Sequence, residues 1–578
     1  MKLSHEFFEA IFFDSKQINA ILMEIWIFDR LERTYFMNIV ELALPTINKF
    51  ASAYLSEEES LHRFFTYNPF SANSFEDRKN ALKDRTYLRE EIADHLLSYN
   101  TNYHADEKTL HNIERLRSEE SMVVIAGQQA GLLTGPLYTI SKIISIIQLA
   151  QEQEKKLGVP VLPVFWIAGE DHDYHEINHV NIPADNSVEK ISLPMKSAGK
   201  KMVSELELDK TKLREWMLKI VNSFGETAFT NDIKAHLERS LQSADNIVDF
   251  FAELIATLFK GTGLILVNAS DPALRKIEVP FFRCIINNRK SITSEVISSQ
   301  ADLEKIGYSQ MLEVQENSMN IFFHIQGERE LLYWDEESQT ACTKDGKTAL
   351  TWGQLKEEIQ SNPHHFSNNV VTRPMMQELL FPTLAFIGGP GEISYWAELK
   401  GAFEALDLEM PPVVPRIGLT IVERHIESTV NELGESMEDI LTYGLEEKRQ
   451  VWLRNQELAE LESRLDYYQK EYEQVHHKFR EVGKDVLPHL ESVFEKNWNL
   501  IDRQFSYMKR LMERSSYEKH ANVMKKYHRA ELSLVPNSLP QERVWNIYYY
   551  LNQYGTDLVQ RICELPLEHN GKHKLIYI

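Results

Sequence analysis

Cysteine is scarce in this chain of 578 residues, which contains only Cys284, Cys342 and Cys563. The three are far apart in the sequence and form no CxxC pair, so the sequence supports neither a disulfide framework nor a thiolate zinc site. A chain that uses so little cysteine is typical of a reducing compartment, and we expect a cytoplasmic protein.

Positive charge is also in deficit, and long uninterrupted apolar runs are missing. The 63 lysines and arginines against 86 aspartates and glutamates give a net charge of −23, which repels nucleic acid and anionic membranes. The longest stretch without charge, residues 121–141, contains glycines and a proline, which indicate turns rather than a membrane span. The acidic N-terminus lacks the apolar core of a signal peptide. We therefore predict no nucleic-acid partner and no membrane segment.

The composition that is present is that of a folded protein with several parts. Hydrophobic residues make up 43% and charged residues 26%, enough to bury a sizeable core. The length is about four times the roughly 150 residues that serve as a prior for one domain. We therefore expect an elaborated core or several domains.

Apolar runs alternate with glycine turns and helical patterns in the central part of the chain. Residues 122–126 (MVVIA) form a short apolar run rich in β-branched residues. The turn GQQAGLLTG, an isoleucine-rich helical pattern and a second apolar run at 159–168 follow it. Strands that are apolar throughout belong to parallel sheets covered on both faces. Further runs at 263–271, 381–389 and 411–416 continue the pattern. The sequence therefore predicts the α/β class, with a doubly wound parallel sheet.

Two insertions and a helical region complete the predicted organisation. The Lys/Glu-rich residues 186–260 interrupt the sheet pattern, and residues 301–365 contain FFHIQG and ELLYWD, a predicted hairpin. From Leu458 to Val486, apolar residues recur at alternating spacings of 3 and 4, which predicts a coiled-coil helix. Pro488 ends it, and a second apolar helix can run back antiparallel. The spacing leaves open whether this seam packs within one chain or between two.

The predicted boundaries follow from these changes of pattern. We suspect that translation starts at Met37, so that residues 1–36 are either a gene-start artefact or an appended helix. The predicted parts are an extension (1–36), three core segments (37–185, 261–300 and 366–420), insertions at 186–260 and 301–365, a coiled-coil domain (421–530) and a C-terminal segment (531–578) that docks on the core or on a dimer partner.

The turn after the first predicted strand is a candidate cofactor-binding segment. In doubly wound sheets, ligands bind beyond the carboxyl ends of the strands. Glycines let the backbone approach a ligand, and the following helix N-terminus suits a phosphate or carboxylate. The segment matches neither GxGxxG nor the Walker pattern, and a purely structural turn is the alternative. The candidate residues are Gly127, Gln128, Gln129, Gly131, Thr134, Gly135 and Tyr138.

The segment GEDHDYHEINH, after the second apolar run, concentrates titratable side chains at a strand end. Acid/base or substrate-orienting chemistry is the first interpretation, and a metal site or a solvated polar turn are the others. The spacing is not HExxH and no cysteine is near, so we assign no metal. The candidate catalytic residues are Glu170, Asp171, His172, Asp173 and His175.

Further candidates follow the later strands. Glycines and Glu392 form another turn that exposes its backbone before a helix, which suggests cofactor contact at Gly388, Gly389, Gly391 and Glu392. The candidate substrate-binding residues are Asn268, Asp271, Arg373, Gln377, Tyr395, Trp396 and Arg416. Asn268 and Asp271 have helix capping as their alternative role, and Arg416 has a structural ion pair.

The motifs GQQAGLLTGPLYTI, PVFWIAGEDHDYHEINHV and VTRPMMQELLFPTLAFIGGPGEISYWAELK, together with the coiled coil, closely resemble the BshC family over residues 37–578. The resemblance implies a Rossmann-like core with two connecting-peptide insertions and a C-terminal coiled coil, in a dimer. It also implies a cytoplasmic ligase of the last step of bacillithiol biosynthesis. That enzyme joins L-cysteine to glucosaminyl malate through an amide bond.

The resemblance also suggests roles within this chemistry. Amide formation needs an activated carboxylate, which makes ATP with magnesium an expected cofactor, although the synthetase HIGH and KMSKS signatures are absent. The turns 127–136 and 388–392 would contact nucleotide or phosphate. His172 with Asp173 would deprotonate or orient the amine, and Arg416 or Arg373 would hold a carboxylate. The alternatives are a nucleotidyl-transfer enzyme acting on another small acid, and a coiled-coil dimer scaffold with a non-catalytic core.

Overall fold

The computed structural model describes residues 37–46, 48–184, 187–194, 199–325, 327–455 and 459–578, so the predicted extension 1–36 and the seam residue Leu458 lie outside the described residues. The strands in these ranges are β1 (Asn38–Leu42), β2 (Met122–Gln128), β3 (Val161–Ile167), β4 (His179–Ala184), β5 (Ser187–Ser192), β6 (Ile265–Asn268), β7 (Ser318–Ile325), β8 (Glu328–Asp335), β9 (Thr340–Thr343), β10 (Ala349–Thr351), β11 (Phe366–Asn368), β12 (Thr383–Gly388), β13 (Val413–Pro415), β14 (Leu419–Val422) and β15 (His573–Tyr577).

The α-helices in the same ranges are α1 (Lys49–Leu55), α2 (Ser74–Leu82), α3 (Arg89–Asn102), α4 (Glu107–Arg115), α5 (Leu137–Leu157), α6 (Tyr174–Ile177), α7 (Lys210–Ser223), α8 (Thr230–Ser243), α9 (Ile247–Leu258), α10 (Pro272–Asn287), α11 (Arg289–Lys305), α12 (Trp352–Ser361), α13 (Thr372–Leu380), α14 (Pro390–Trp396), α15 (Lys400–Glu404), α16 (Arg424–Leu433), α17 (Met437–Tyr443), α18 (Glu446–Leu453), α19 (Ala459–Val486), α20 (Glu491–Lys519), α21 (Ala521–Leu534), α22 (Gln541–Val544), α23 (Ile547–Tyr554) and α24 (Leu558–Cys563). The described residues divide into two compact units, the first within 37–184, 188–421 and 541–578 and the second comprising residue 187 and those within 422–540.

A parallel sheet in the order β13-β12-β2-β3-β6 forms the centre of the first unit, which confirms the predicted α/β class. Every residue of β3 is buried, as its continuous apolar sequence predicts. Helix α5 packs on β2 and β3 through an apolar face that includes Ile140, Ile143 and Ile147. Strands β3 and β6 lie on one side of β2, and β12 and β13 on the other. The order therefore reverses at β2, where doubly wound sheets bind their ligands.

The two regions that interrupt the sheet pattern have different structures. Residues 318–368 form an antiparallel sheet in the order β10-β9-β8-β7-β11, and the predicted hairpin is β7 with β8. The stretch 186–260 pairs β5 with β4 and then forms helices α7, α8 and α9. In α9, Phe251 stacks against Phe165 of β3 with ring centroids 6.2 Å apart, so this helix covers a face of the parallel sheet.

Residues 541–578 belong to the first unit, and within it they fix the glycine-rich turn. The backbone N–H of Leu137 donates to the carbonyl of Trp545 at 2.9 Å. The Asn546 side chain donates to the carbonyls of Leu133 and Gly135, each at 2.7 Å. Gly135 has φ of +71°, which a residue with a side chain rarely adopts. The first residue of α5 is therefore bonded to the C-terminal segment rather than open to a ligand.

Replacing Asn546 with alanine is expected to lower the free energy of unfolding by about 3 kcal/mol. The side chain also caps α23 by accepting from the Tyr548 N–H at 2.9 Å, and losing such a cap costs about 1 kcal/mol. The two buried carbonyls would lose their donor, at about 1 kcal/mol each. Urea unfolding measures the change. Asn546→Asp is the control, because it keeps the cap acceptor and loses the donor, and wild-type stability in both variants would contradict this account.

Helices α19 and α20 of the second unit form an antiparallel hairpin, which confirms the predicted coiled coil. Ring contacts connect Tyr472 with Phe505, His476 with Trp498, and Phe479 with Phe494, at centroid separations of 6.0, 5.4 and 5.3 Å. Part of the seam is not covered in the single chain, since Val475, Phe479 and Val482 are 63%, 60% and 65% exposed. The seam therefore packs within the chain and still presents apolar surface, while the predicted dimer stays a prediction.

Candidate functional site

A cleft of about 620 Å³ lies at the carboxyl ends of β2, β3 and β12. The hairpin β7–β8 and the start of α13 form its other wall, where Phe322, Arg329 and Asn369 lie. The predicted site residues that line it are Gly127, Gln128, Gln129, Tyr138, Glu170, Asp171, His172, Arg373, Gly389, Gly391, Glu392, Tyr395 and Arg416. Side chains from four sequence motifs therefore meet in one cleft.

The remaining candidates of the two glycine turns lie outside the lining, which corrects the expectation that each whole turn faces a ligand. Thr134 is fully buried, and Gly131 and Gly135 lie in the part of the turn that Asn546 holds. Gly388 belongs to the buried strand β12, where an added Cβ would approach Ile393 within 3.2 Å. These four residues shape the turns, and their neighbours line the cleft.

Several predicted catalytic and substrate residues have structural partners instead. Asp271 caps α10 by accepting from the Ala273 N–H at 2.7 Å, and Asn268 accepts from the Ser270 hydroxyl at 2.8 Å. The capping alternative of the sequence analysis therefore describes Asp271. Asp173 and His175 are exposed outside the lining, and Trp396 is buried against Phe386.

His172 is held between a carboxylate and a guanidinium. Its Nδ1 lies 3.2 Å from Arg329 Nη1 and 3.8 Å from Asp171 Oδ1. Gln129 donates to Asp171 Oδ2 at 2.9 Å and to Glu176 Oε2 at 2.6 Å. Burial and the Arg329 charge lower the pKa of His172. Burial would raise the pKa of Asp171, but Gln129 and Arg329 outweigh it and the pKa is lowered. The cluster thus favours a neutral imidazole beside an ionised carboxylate.

Glu170 lines the cleft but has a buried ion-pair partner. Arg275 pairs with Glu170 and, at 2.5 Å, with Glu278, and all three side chains are almost completely buried. Burial raises the pKa of Glu278 to about 7 against the opposing effect of Arg275. Because Arg275 holds Glu170 in place, this carboxylate is a support for the strand end rather than a free acid or base.

Lys142 was not predicted from the sequence. Its side chain connects the two glycine turns, 127–136 and 388–392. Its Nζ lies 2.9 Å from the Gly127 carbonyl, 3.0 Å from Gln128 Oε1 and 2.5 Å from Glu392 Oε2. Glu392 also accepts from the Gly389 N–H at 2.8 Å. Burial lowers the pKa of Lys142. Its signal in the sequence was a single charge within the apolar run of α5.

Arg416 and Arg373 differ in their partners. Arg416 makes a two-point ion pair with Glu542 of α22, at 2.5 and 2.7 Å, so the structural ion pair considered from the sequence is present. Arg373 Nη2 donates to the Tyr395 hydroxyl at 2.6 Å, and its buried Nε has no acceptor in the described structure. Arg373 is thus a cleft guanidinium with unused hydrogen-bonding capacity.

Two buried amides lie close to Arg373 in the sequence and also lack partners. Both amide atoms of Asn368, on the cleft wall, and of Gln377, one turn along α13, have no hydrogen bond within the described ranges. Buried polar groups are rarely left unpaired, so this feature points to water or a ligand. Arg329, Asn368 and Arg543 also line the cleft and were missed, because each comes from outside the glycine and histidine motifs.

Neither a metal-binding cluster nor a membrane-spanning helix occurs in the part of the chain that the structure describes. No group of three or more His, Cys, Asp or Glu side chains there is placed to hold a metal ion. Among the helices that the structure describes, none has the length and apolar character needed to cross a membrane.

Comparison with known proteins gives matches over both units. The family model described as bacillithiol biosynthesis BshC, N-terminal Rossmann-like domain, matches residues 37–417, and that of the BshC C-terminal coiled-coil domain matches 419–578. Relatives named "Putative cysteine ligase BshC" from Anoxybacillus flavithermus and Geobacillus thermodenitrificans are each 42% identical over 94% of this chain and their whole length. One from Bacillus cereus is 41% identical over 93% of this chain and its whole length. The chain therefore belongs to the BshC family of bacillithiol biosynthesis.

Proposed function

We propose that this chain is an ATP-dependent ligase that joins the carboxylate of L-cysteine to the amine of glucosaminyl malate. The relatives' names support cysteine ligation. The observation that carries the proposal is the cleft itself, whose lining contains five lysine and arginine side chains and four carboxylates. Glu170 and Glu392 among these carboxylates are paired with Arg275 and Lys142, which leaves Arg329, Arg373 and Arg543 as cations for a ligand. Such a concentration of cations suits substrates with carboxylate and phosphate groups.

In the proposed reaction, activation of the cysteine carboxylate turns its acyl carbon into an electrophile. ATP, held with magnesium, would transfer to the cysteine carboxylate either an adenylyl group, with release of pyrophosphate, or a phosphoryl group, with release of ADP. The glucosamine nitrogen then attacks the acyl carbon, a C–N bond forms, and the C–O bond to AMP or phosphate breaks. The nitrogen loses one proton in the process. Lining residues with cationic or amide side chains, such as Arg543 and Gln128, would contact the phosphates.

The cleft also offers groups for the other substrate features. Arg373 and Asn368 have unused donors for a malyl carboxylate. Asp171 and His172 border the place where the amine approaches, whereas Asp173 lies outside the lining. The histidine motif thus stays next to the reacting groups, and of the two arginines predicted to hold a carboxylate, Arg416 or Arg373, we choose Arg373 because Arg416 is paired with Glu542.

We further propose that the protein acts in the cytoplasm as a homodimer. The structure describes all three cysteines and joins none of them in a disulfide, in agreement with a reducing compartment. Exposed apolar residues along the coiled-coil hairpin, such as Val475 and Val482, provide surface for a second copy. Sedimentation equilibrium tests the dimer, and a 67.4 kDa particle at all concentrations would contradict it.

The test is to incubate the purified protein with cysteine, glucosaminyl malate, ATP and magnesium, omitting each in turn. Mass spectrometry follows the thiol product and the nucleotide. Product formed only in the complete mixture is expected, with AMP indicating an adenylate and ADP an acyl phosphate. Product from a different acid would favour the alternative of another acid-activating enzyme. No turnover with any mixture would contradict the proposal.

A further inference from the structure

The contact between Arg329 and His172 determines which ring nitrogen can carry a proton. A guanidinium has only donors, so the Arg329 Nη1 that lies 3.2 Å from Nδ1 donates to it. Nδ1 must then offer its lone pair. In the neutral imidazole, the single proton consequently lies on Nε2.

Arg329 is itself fixed, so this arrangement does not depend on a flexible surface side chain. The guanidinium is 6% exposed and donates to the Ser367 hydroxyl at 2.9 Å and to the Asn368 carbonyl at 2.7 Å. It also stacks on the Phe322 ring at 3.8 Å. These contacts with Ser367, Asn368 and Phe322 hold the Arg329 guanidinium against His172.

The surroundings of His172 favour the neutral ring. Burial acts first, the charges of Arg329 and Lys200 add to it, and Asp171 and Asp173 oppose it, with the net result that the pKa is lowered. The Phe322 ring meets the imidazole edge to face at 6.1 Å. No described residue hydrogen-bonds to Nε2, and the side chain is 31% exposed beside the cleft.

We propose that His172 is a neutral hydrogen-bond donor that stabilises the acyl oxygen through Nε2–H, and is not the general base. The proposal rests on the proposed ligase function and specifies the role of this residue in it. When the amine attacks the acyl carbon, the carbonyl π pair moves to oxygen, and Nε2–H donates to that oxygen without transferring its proton. The oxygen pair then re-forms the C=O bond as the C–O bond breaks with its pair leaving on the phosphate, and the amine proton passes to water in the open cleft.

Two substitutions of His172 distinguish this role from that of a general base. If His172 were the base, both variants would lose activity equally. His172→Gln places an amide N–H near the former Nε2 position and cannot accept a proton as a base. We expect it to keep kcat within about 10-fold of wild type, whereas His172→Ala loses about 100-fold or more in kcat, the typical cost of removing one such donor. KM is expected to change little in both variants. Equal inactivity of two folded variants would overturn the proposal.

A second measurement does not depend on turnover. In protein labelled with ¹⁵N-histidine, the resonance that His172→Ala removes identifies this ring, and its nitrogen shifts report the tautomer. We expect Nδ1 unprotonated and Nε2 protonated at pH 7. A proton on Nδ1, or a doubly protonated ring, would contradict the proposal. If the wild type forms no amide product, the ligase function fails, while the NMR result still decides the state of His172.

Discussion

Replacing Arg373 with methionine is expected to raise the KM for the proposed substrate glucosaminyl malate about 100-fold. This change corresponds to a loss of about 2.7 kcal/mol in binding free energy. The free energy of unfolding should stay unchanged or rise. Arg373 is half-buried and lines the cleft, and its buried Nε has no acceptor in the described ranges. An unpaired buried donor costs stability in the free protein, and a bound carboxylate supplies the missing acceptor. Methionine keeps much of the volume and removes the charge.

Arg416→Met is the matched control, because Arg416 lines the same cleft but already has a partner. Removing it would leave Glu542, which is 10% exposed, without its cation. Breaking a buried ion pair in this way costs about 3 kcal/mol. Urea unfolding and steady-state kinetics on both variants measure the difference. If Arg373→Met destabilised the protein as much as Arg416→Met, Arg373 would be a structural residue and its ligand role would be wrong.

The parallel sheet could be predicted because its signals are local. Strands β2 and β3 are continuous apolar runs, and the turn between β2 and α5 contains the glycines that a strand-to-helix connection needs. The insertions were harder to predict because helices α7 to α9 show only short amphipathic patterns, and nothing local indicates that α9 packs against Phe165 of the parallel sheet.

The location of the site could also be predicted, but not the partners of its charges. Motifs at strand ends meet in space because parallel strands end at one edge of the sheet. Whether an arginine is free depends on residues distant in sequence: Glu542 neutralises Arg416, and Arg275 neutralises Glu170. Arg329 reaches His172 only because the β7–β8 hairpin folds over the sheet. Such pairings are properties of the tertiary structure and leave no local pattern.

Replacing Lys142 with methionine is expected to lower both activity and stability, unlike the change at Arg373. The side chain is 4% exposed and bonds to the Gly127 carbonyl, Gln128 and Glu392, so it connects the two turns that form the floor of the cleft. Its loss leaves Glu392 without its cation and the Gly127 carbonyl without this donor, at about 3 kcal/mol in the free energy of unfolding. Displacement of the turns should reduce kcat about 100-fold, the size of effect that a small misplacement of positioning groups produces.

The double variant Lys142→Met with Glu392→Gln separates the two effects. It removes the uncompensated charge, so stability should return to within about 1 kcal/mol of wild type, as expected when both members of a buried pair are replaced. Activity should stay low, because neutral side chains cannot hold the Gly127 and Gly389 turns together as the lysine and carboxylate do. Urea unfolding and the product assay test both points. If the double variant recovered kcat with stability, Lys142 would only offset the charge of Glu392 and would not position the turns.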